Sequence, residues 1–272
     1  MPGCLINGEA LEVLSVQDRG LQYGDGLFET LAVRDGAPCH WPRHLRRLQR
    51  GCERLGLPAP DSRLLEAEAA QLCHGVSNGV LKIILTRGPG QRGYISPELV
   101  EPTRVLRVST LPEYPATHRT DGVVVTVCQT PLGLNPALAG IKHLNRLEQV
   151  LARAEWRDPA ISEGLMLDLE GHVIEGTMSN LFVLHNGELV TPDLARSGVA
   201  GITRERIMEL AIAQGLPLEV RPLTLDDVTH SDEFFICNSL IGIWPVKQLQ
   251  QRNWHPGPVT RQLMQALEQQ RD

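Results

Sequence analysis

One lysine, in the stretch GIKHLNRLE at residues 140–148, has the chemistry of a nucleophile. The chain has 26 basic residues, and only three of them are lysines, against 23 arginines. Arginine can replace lysine as a surface cation, but it cannot lose its proton to become an amine. Lysine can, and it therefore forms Schiff bases with carbonyl compounds. Lys142 is thus either a reactive amine or a solvated cation, and the second reading is sufficient for Lys82 and Lys247.

A carboxylate and a helix start supply further candidate chemistry. Glu175 ends a predicted strand in DLEGHVIEGTMSNLF, residues 168–182. It is either an exposed carboxylate or one that keeps a pyridine nitrogen protonated. Thr203 opens a predicted helix in GITRERI, where it is either a simple N-cap or part of a phosphate site made by free helix N–H groups. The residue that would complete a capping box is Arg206, which does not fit that motif.

Three other polar residues extend this set. Arg47 in HLRRL is either on a solvated helix face or a phosphate-binding guanidinium. Asn238 and Ser239 in CNSLIG are further donors at a predicted strand end. A nucleophilic lysine, a carboxylate for a pyridine and a phosphate cradle are together what a pyridoxal phosphate enzyme requires.

Composition excludes several other classes of protein. The net charge is −6, and no basic run resembles a nucleic-acid footprint. The longest apolar runs, such as residues 122–128, are too short to cross a membrane, and no signal peptide is apparent at the N-terminus. The six cysteines are scattered without a CxxC pair, which predicts a reduced, cytoplasmic protein without disulfides. The histidines lack metal-ligand spacing, so no metal site is expected.

Hairpin signals and helical periodicities are interspersed along the chain, which predicts an α+β fold in two lobes. The segment LPEYPATHRTD contains two prolines and no periodicity, so it is the candidate linker. The predicted domains are a small N-terminal α+β domain at 1–111, a linker at 112–121 and a larger cofactor-binding domain at 122–272. In the first domain, a strand pair at residues 4–7 and 11–16 is predicted, and in the second a helix over 145–156.

The ordered motifs HLRRL, GIKHLNRLEQ, IEGTMSNLF, GITR and CNSL resemble those of the fold-type IV pyridoxal phosphate enzymes. The resemblance covers essentially the whole chain and implies the two-lobed architecture of D-amino-acid aminotransferases. It implies that Lys142 is the Schiff-base residue and general base, and that Glu175 faces the pyridine nitrogen. It also implies a homodimer. By the same resemblance, the cofactor phosphate is bound by Arg47, Ile202, Thr203, Asn238 and Ser239.

The residues after Lys142 indicate a branch of that family. Its transaminases usually have a tyrosine shortly after the lysine, and this chain has Asn145 and Arg146 there. The wording GIKHLNRLEQVL and RGPGQRGY resembles the lyase branch, which converts 4-amino-4-deoxychorismate to 4-aminobenzoate and pyruvate for folate biosynthesis. The alternatives are a D-amino-acid or branched-chain aminotransferase and a non-catalytic pyridoxal phosphate carrier.

The substrate implied by the resemblance is a small molecule with two carboxylates. Arg87 and Arg92, in the glycine-rich RGPGQRGY, are either its carboxylate partners or cations of a solvated loop. Thr30, in the strand after YGDG, is a further candidate for substrate contact.

Overall fold

The computed structural model describes residues 3–270, which divide into two compact units. The first unit contains residues 3–112 and a short return of the chain at Ile141–Asn145. The second contains Glu113–Gly140 and residues 146–270. The sequence did not predict the return, which places Lys142 with the first unit.

The first unit is a five-stranded antiparallel sheet with two long helices. The order of the strands is β1-β5-β4-β2-β3. The elements are β1 (Cys4–Ile6), α1 (Arg19–Tyr23), β2 (Gly26–Arg34), β3 (Ala37–Pro38), α2 (Trp41–Leu55), α3 (Ser62–Cys73), β4 (Asn78–Thr86) and β5 (Thr103–Ser109).

Strand β2 lies between β4 and β3 in this sheet, and its residues alternate between two faces, as strand geometry requires. Leu27 and Leu31 are buried on the face against which α2 packs. Helix α2 offers Leu48 and Cys52 to that core. Gly51 of the same helix lies so close to Leu27 that an added Cβ would come within 2.8 Å of the leucine side chain. This close approach fixes α2 over the strand.

The second unit is built on a nine-stranded mixed sheet. Its main path runs β11-β10-β9-β12-β13-β6-β7-β8, and β14 pairs with β13. The elements are α4 (Thr117–Thr120), β6 (Val123–Val127), α5 (Leu147–Arg153), β7 (Ile161–Leu167), β8 (Val173–Gly176), β9 (Asn180–His185), β10 (Glu188–Pro192), α6 (Ile202–Ala213), β11 (Leu218–Arg221), α7 (Leu225–Thr229), β12 (Glu233–Asn238), β13 (Gly242–Leu249), β14 (Arg252–Asn253) and α8 (Pro258–Gln269).

Helices α6 and α8 pack together on β12 and β13 and hold the end of β12 in place. Their core includes the stacked rings of Phe182 and Phe235, whose centroids are 5.2 Å apart. Burying a phenylalanine side chain contributes roughly 2–3 kcal/mol, and the same core includes Ile207, Leu210 and Ala211 of α6. The interleaved strands and helices of both units confirm the predicted α+β class.

Two predicted elements differ from the structure. Residues 11–16 are not a strand, because the chain turns back at a single bridge between Ile6 and Glu9. The helix predicted over 145–156 is only the short α5, and its apolar face is exposed: Leu147 is 69% and Val150 61% accessible. Within residues 3–270, none of the helices combines the length and the apolar character needed to cross a membrane.

Candidate functional site

Lys142 is held against the start of β2 by main-chain hydrogen bonds. The Phe28 N–H donates to the Lys142 carbonyl at 2.9 Å, and the Leu144 N–H donates to the Gly26 carbonyl at 3.0 Å. The Asn145 amide donates to the Gly24 carbonyl at 3.2 Å. These bonds fix the Lys142 backbone on both sides, so its side chain projects from a defined position.

The Lys142 amine lies over an aromatic ring. Its Nζ is 4.4 Å from the centroid of the Phe28 ring, which is within cation–π range. Thr30 lies two residues along β2 from Phe28 and therefore on the same face of the sheet. The structure thus brings Thr30 to the face that carries the ring beside Lys142.

On the opposite face of β2, Glu29 organises a buried charge cluster. The Arg47 guanidinium donates to both Glu29 oxygens, at 2.8 and 2.6 Å, and His44 Nδ1 lies 2.6 Å from Glu29 Oε2. Burial alone would raise the pKa of Glu29, but the charge and hydrogen bonds of Arg47 hold it at about 2. Glu29 is therefore ionised and keeps Arg47 in one orientation.

His44 belongs to the same charged neighbourhood as Lys142. Burial lowers the pKa of His44, Glu29 opposes this, and the charges of Arg47 and Lys142 lower it further. The structure therefore groups Arg47 and Lys142, two sequence-predicted site residues, around a histidine that is kept neutral.

In the second unit, Glu175 is buried at the end of β8 and bound to the backbone of residue 199. The Val199 N–H donates to Glu175 Oε2 at 2.8 Å. The Asn180 amide donates to the Val199 carbonyl at 2.9 Å. Gly201 admits this arrangement, because a Cβ there would overlap Asn180 Oδ1. The segment that leads into α6 is thus fixed by Glu175 and Asn180 of the motif IEGTMSN.

The N-terminus of α6 presents unused donors. The N-cap residue is Gly201, which has no side chain to cap the helix. Thr203 lies in the first turn and is 4% exposed, and among residues 3–270 its hydroxyl has no hydrogen-bond partner. Ile202 precedes it and is buried. Free N–H groups and a hydroxyl at a helix N-terminus suit a phosphate group, so these residues fit the expected cofactor.

Arg204 adds positive charge to this helix start. Its Nε donates to Thr191 Oγ1 at 3.0 Å, and its Nη2 donates to the Pro192 carbonyl at 2.9 Å. Both partners are neutral, and no carboxylate of the described chain lies within ion-pair distance. The uncompensated charge favours an anion nearby.

Asn238 and Ser239 have different roles in the turn after β12. Its amide nitrogen donates to the Met178 carbonyl at 3.1 Å, and its oxygen accepts from the N–H groups of Leu240 and Ile241 at 2.8 and 3.0 Å. Asn238 therefore shapes the turn after β12. Ser239 is half-buried at the top of that turn, and its hydroxyl has no partner within the described residues. Phosphate binding by these two residues stays a prediction, and the geometry favours Ser239 as the side-chain donor.

Glu163 supports the turn that follows Glu175. It is 0% exposed, and its oxygens accept from the Thr177 N–H and hydroxyl at 3.0 and 2.6 Å. They also accept from the Met178 N–H at 3.2 Å and the Ser179 hydroxyl at 2.8 Å. Five donors, including the N–H of Gly164, converge on this one carboxylate. The turn thus cannot shift without breaking a buried network.

The two arginines of the glycine-rich loop differ sharply. Arg87 is 7% exposed, and its guanidinium donates to Asp25 and to the carbonyls of Leu55 and Gly56. These contacts assign it to the support of the first unit and do not favour the predicted substrate role. Arg92 is exposed, with no hydrogen-bond partner in the described part of the chain. It remains available for a substrate carboxylate.

Glu29 and Glu163 were missed by reasoning from sequence, although a signal for each exists. Glu29 occupies an inward position of a strand whose other inward residues are apolar. Glu163 likewise directly precedes the apolar run GLML. A carboxylate at a core position needs partners, because an unpaired buried charge is very costly.

Asp168, Glu170 and His172 form a separate cluster whose possible metal-ligand atoms lie within 4.8 Å of one another. The Arg196 guanidinium already binds the Glu170 carboxylate, at 2.6 and 2.8 Å.

Comparisons with known proteins point to one family. The family described as class IV amino-transferases matches residues 26–249. The aminodeoxychorismate lyase of Vibrio harveyi is 38% identical over 242 residues, which is 89% of each chain. The putative branched-chain-amino-acid aminotransferase of Methanocaldococcus jannaschii is 31% identical over 261 residues, covering 93% of this chain and 90% of the relative.

A solved structure is similar over almost the full length. The crystal structure of 4-amino-4-deoxychorismate lyase from Pseudomonas aeruginosa superposes with a TM-score of 0.95 at 48% identity, and the match covers 98% of both chains. The predicted fold-type IV architecture is confirmed by this match.

Proposed function

The chain belongs to the class IV amino-transferase family, and we propose that it is a pyridoxal-phosphate-dependent lyase that converts 4-amino-4-deoxychorismate to 4-aminobenzoate and pyruvate. The similarity to the Pseudomonas aeruginosa lyase carries this proposal, because it spans both chains and exceeds in identity the similarity to the aminotransferase. The segment after Lys142 supports it. The family's transaminases usually have a tyrosine there, and this chain uses Asn145 to fasten the segment to Gly24.

The cofactor's phosphate is proposed to bind at two places that offer unused donors. These are the first turn of α6, with Ile202 and Thr203, and Ser239 in the turn that Asn238 shapes. Arg47 lies in the first unit, where Glu29 orients it, and phosphate binding by Arg47 is proposed from the family resemblance alone. When bound, pyridoxal phosphate supplies an electron sink for the pair released on removing a proton beside its nitrogen.

The reaction then needs one well-placed base. Lys142 is the residue that would hold pyridoxal phosphate through its amine, and as a free amine it would take the proton from the ring carbon that carries the substrate nitrogen. Glu175, fixed by Val199, would hold a proton on the pyridine nitrogen of the bound cofactor. The bond to the enolpyruvyl oxygen breaks, and the ring becomes aromatic. The proton taken by Lys142 balances the proton that enolpyruvate needs to become pyruvate.

The test is incubation of the purified protein with 4-amino-4-deoxychorismate in the absence of any keto acid. We expect 4-aminobenzoate and pyruvate in equal amounts. Obligatory dependence on a keto-acid acceptor would sink the lyase proposal in favour of an aminotransferase. A yellow protein that forms no product under either condition would support a cofactor carrier. Lys142→Ala is the inactive control, and Lys247→Ala, at an exposed position of β13, is the matched active one.

We also propose a homodimer. In the second unit, Leu147, Val150 and Leu151 of α5 are 69%, 61% and 53% exposed, and in the first unit Val13 and Val16 are each 77% exposed. Such groups of large apolar side chains typically mark a surface that another subunit covers. Light scattering coupled to gel filtration should give twice the monomer mass, and Leu151→Lys should lower it. A monomer at micromolar concentration would refute the proposal.

A cytoplasmic location is proposed from the cysteines. All six are free thiols, and four of them are buried. Burial raises the pKa of Cys237 to about 12 and that of Cys73 to about 11. Free thiols persist in a reducing compartment. Fractionation of the native cells should recover the protein with the cytoplasmic enzymes; recovery with an oxidising compartment would contradict this.

A further inference from the structure

The loop RGPGQRGY is glycine-rich because it wraps an arginine. A Cβ at Gly90 would come within 2.8 Å of Arg19 Cδ, and a Cβ at Gly88 would overlap the carbonyl of Glu101. Gly93 has a φ of +107°, which side chains rarely adopt. The glycines thus allow the loop to close around the Arg19 side chain, and this loop follows β4 without opening a helix that could bind phosphate.

Arg19 is the anchor inside this loop. It is 4% exposed, although it lies in the short helix α1. Its Nη1 donates to the Gly93 carbonyl at 2.9 Å, with the Ile95 carbonyl at 3.4 Å, and its Nη2 donates to the Tyr94 carbonyl at 3.2 Å. Three successive carbonyls therefore face one planar guanidinium, a geometry that only a fork of fixed donors can satisfy.

The other side of Arg19 is tied to the strand that carries the site. Its Nε donates to Asp25 Oδ2 at 2.9 Å, and Arg87 binds the same carboxylate at 2.8 and 3.1 Å. Burial would raise the pKa of Asp25, but the hydrogen bonds and charges of the two arginines lower it. Asp25 directly precedes β2, so the guanidinium links the loop backbone to the base of that strand.

The ring of Tyr23 closes this arrangement. Arg19 Cζ lies 5.0 Å from the centroid of the Tyr23 ring, and the Gly93 N–H donates to the Tyr23 hydroxyl at 3.2 Å. The Tyr94 ring packs edge-on against it, with centroids 5.4 Å apart. Arg92, immediately before the pinned carbonyls, is left exposed and has no partner among residues 3–270.

We propose that Arg19 is a positioning residue for substrate recognition: by pinning residues 93–95 to Asp25, it fixes where Arg92 presents its guanidinium to a substrate carboxylate. This inference rests on the proposed function, in which the substrate carries two carboxylates. Bidentate binding of a carboxylate by arginine depends on geometry, so a loose loop would lose it. Arg19 itself does not touch the substrate.

The test uses the holoenzyme with Arg19→Met, Arg19→Lys and Arg92→Met, and Arg63→Met at an exposed position of α3 as the matched control. We expect Arg19→Met and Arg92→Met each to raise KM for 4-amino-4-deoxychorismate by about tenfold or more, the size of one lost charge-assisted contact. The affinity for pyridoxal phosphate should not change. Arg19→Lys should not restore KM, because an ammonium group cannot satisfy three carbonyls and Asp25 together.

Two further measurements separate positioning from general support. The double variant Arg19→Met with Arg92→Met should have the KM of Arg92→Met alone, since both changes remove one contact. Hydrogen exchange of the amides at 91–95 should accelerate in Arg19→Met. Additive effects on KM, or an unchanged KM with accelerated exchange, would overturn the proposal.

The outcomes remain distinct if a variant folds poorly or if the function is wrong. The variant Gly90→Ala displaces the Arg19 side chain without removing it, so it should also raise KM. If Arg19→Met folds poorly, an unchanged KM in Gly90→Ala would count against the proposal. If the unmodified protein releases no 4-aminobenzoate, the proposed function has failed. Whether Arg19 orders the loop is then decided by the hydrogen exchange of the amides at 91–95 alone.

Discussion

Replacing Glu29 by glutamine should destabilise the protein strongly, although the two side chains have the same shape. The substitution leaves the Arg47 guanidinium buried beside a neutral amide. The pKa of Glu29 falls from its ordinary 4.5 to about 2 in the folded protein. That fall corresponds to roughly 3 kcal/mol, at about 1.4 kcal/mol for each tenfold change in proton affinity. Breaking a buried ion pair by removing one partner costs about 3–5 kcal/mol, which agrees in size.

The lowered pKa of Glu29 also determines how the stability of the protein depends on pH. A carboxyl whose pKa is lowered by folding contributes its full stabilisation above its unfolded pKa and loses it as the pH falls towards the folded value. For Glu29 this window extends from about 4.5 down to about 2. His44 adds a second loss that begins below its ordinary pKa of 6.5, because burial lowers its pKa as well. Glu29→Gln should therefore be less stable at pH 7 and should lose stability less steeply between pH 4.5 and 2.

The assay is urea unfolding at several pH values, with Glu53→Gln as the matched control, since Glu53 is exposed on the same helix as Arg47. The double variant Glu29→Gln with Arg47→Met should be less damaged than the sum of the two single changes. A loss below about 1 kcal/mol for Glu29→Gln at pH 7, the size expected of an exposed pair, would refute the argument.

Four further predictions concern the cofactor, a buried turn and the thiols. Lys142→Ala should abolish the yellow colour of the protein with its cofactor, whereas Lys247→Ala should keep it; a coloured Lys142→Ala would remove the Schiff-base role. Thr203→Val should weaken pyridoxal phosphate binding by about tenfold or more, because a hydrogen bond to a charged group is lost, and an absorbance titration against unchanged unfolding curves measures this. Glu163→Gln should lower both stability and cofactor affinity, since an NH2 donor replaces one of the two oxygens that accept from the turn at 177–179; unchanged affinity would confine Glu163 to stability. Cys237, with a pKa of about 12, should react with a thiol reagent only after unfolding, and rapid modification in the native protein would contradict its burial.

Local sequence patterns were sufficient to predict most helices and strands and to single out the residues whose chemistry is unusual. The sequence predicts strands at 27–34, 79–86 and 103–110 and helices at 42–56, 61–73 and 201–213. Strands β2, β4 and β5 and helices α2, α3 and α6 begin and end within one residue of these bounds, because each has a clear period and a turn residue at its end. Lys142 could be predicted because lysine is rare in this chain, and Glu175 because it ends a strand next to a polar turn. The predicted role of each stays a prediction.

Long-range partners could not be predicted from local patterns. Arg87 lies 62 residues from Asp25, and Arg19 lies 74 residues from Gly93. Nothing in the wording RGPGQRGY distinguishes an arginine that binds its own protein from one that faces solvent. The prediction for helix α5 was wrong for a related reason: its apolar residues have the periodicity of a buried helix, but Leu147, Val150 and Leu151 are exposed in the described chain.

The residues that support each group of site contacts are carboxylates, and two of them, Glu29 and Glu163, are fully buried. Glu29 orients Arg47, Asp25 joins Arg19 to β2, and Glu163 holds the turn after Glu175. Replacing such groups by apolar residues would often be neutral or stabilising, so stability alone does not account for them. A carboxylate does what a leucine cannot, since it accepts several hydrogen bonds at fixed angles and thereby selects a single arrangement of the donors around it. Donors held in one arrangement need no reorganisation when a charged ligand arrives, which is the condition for strong electrostatic stabilisation in a site. The buried charges therefore belong to the function as much as to the fold.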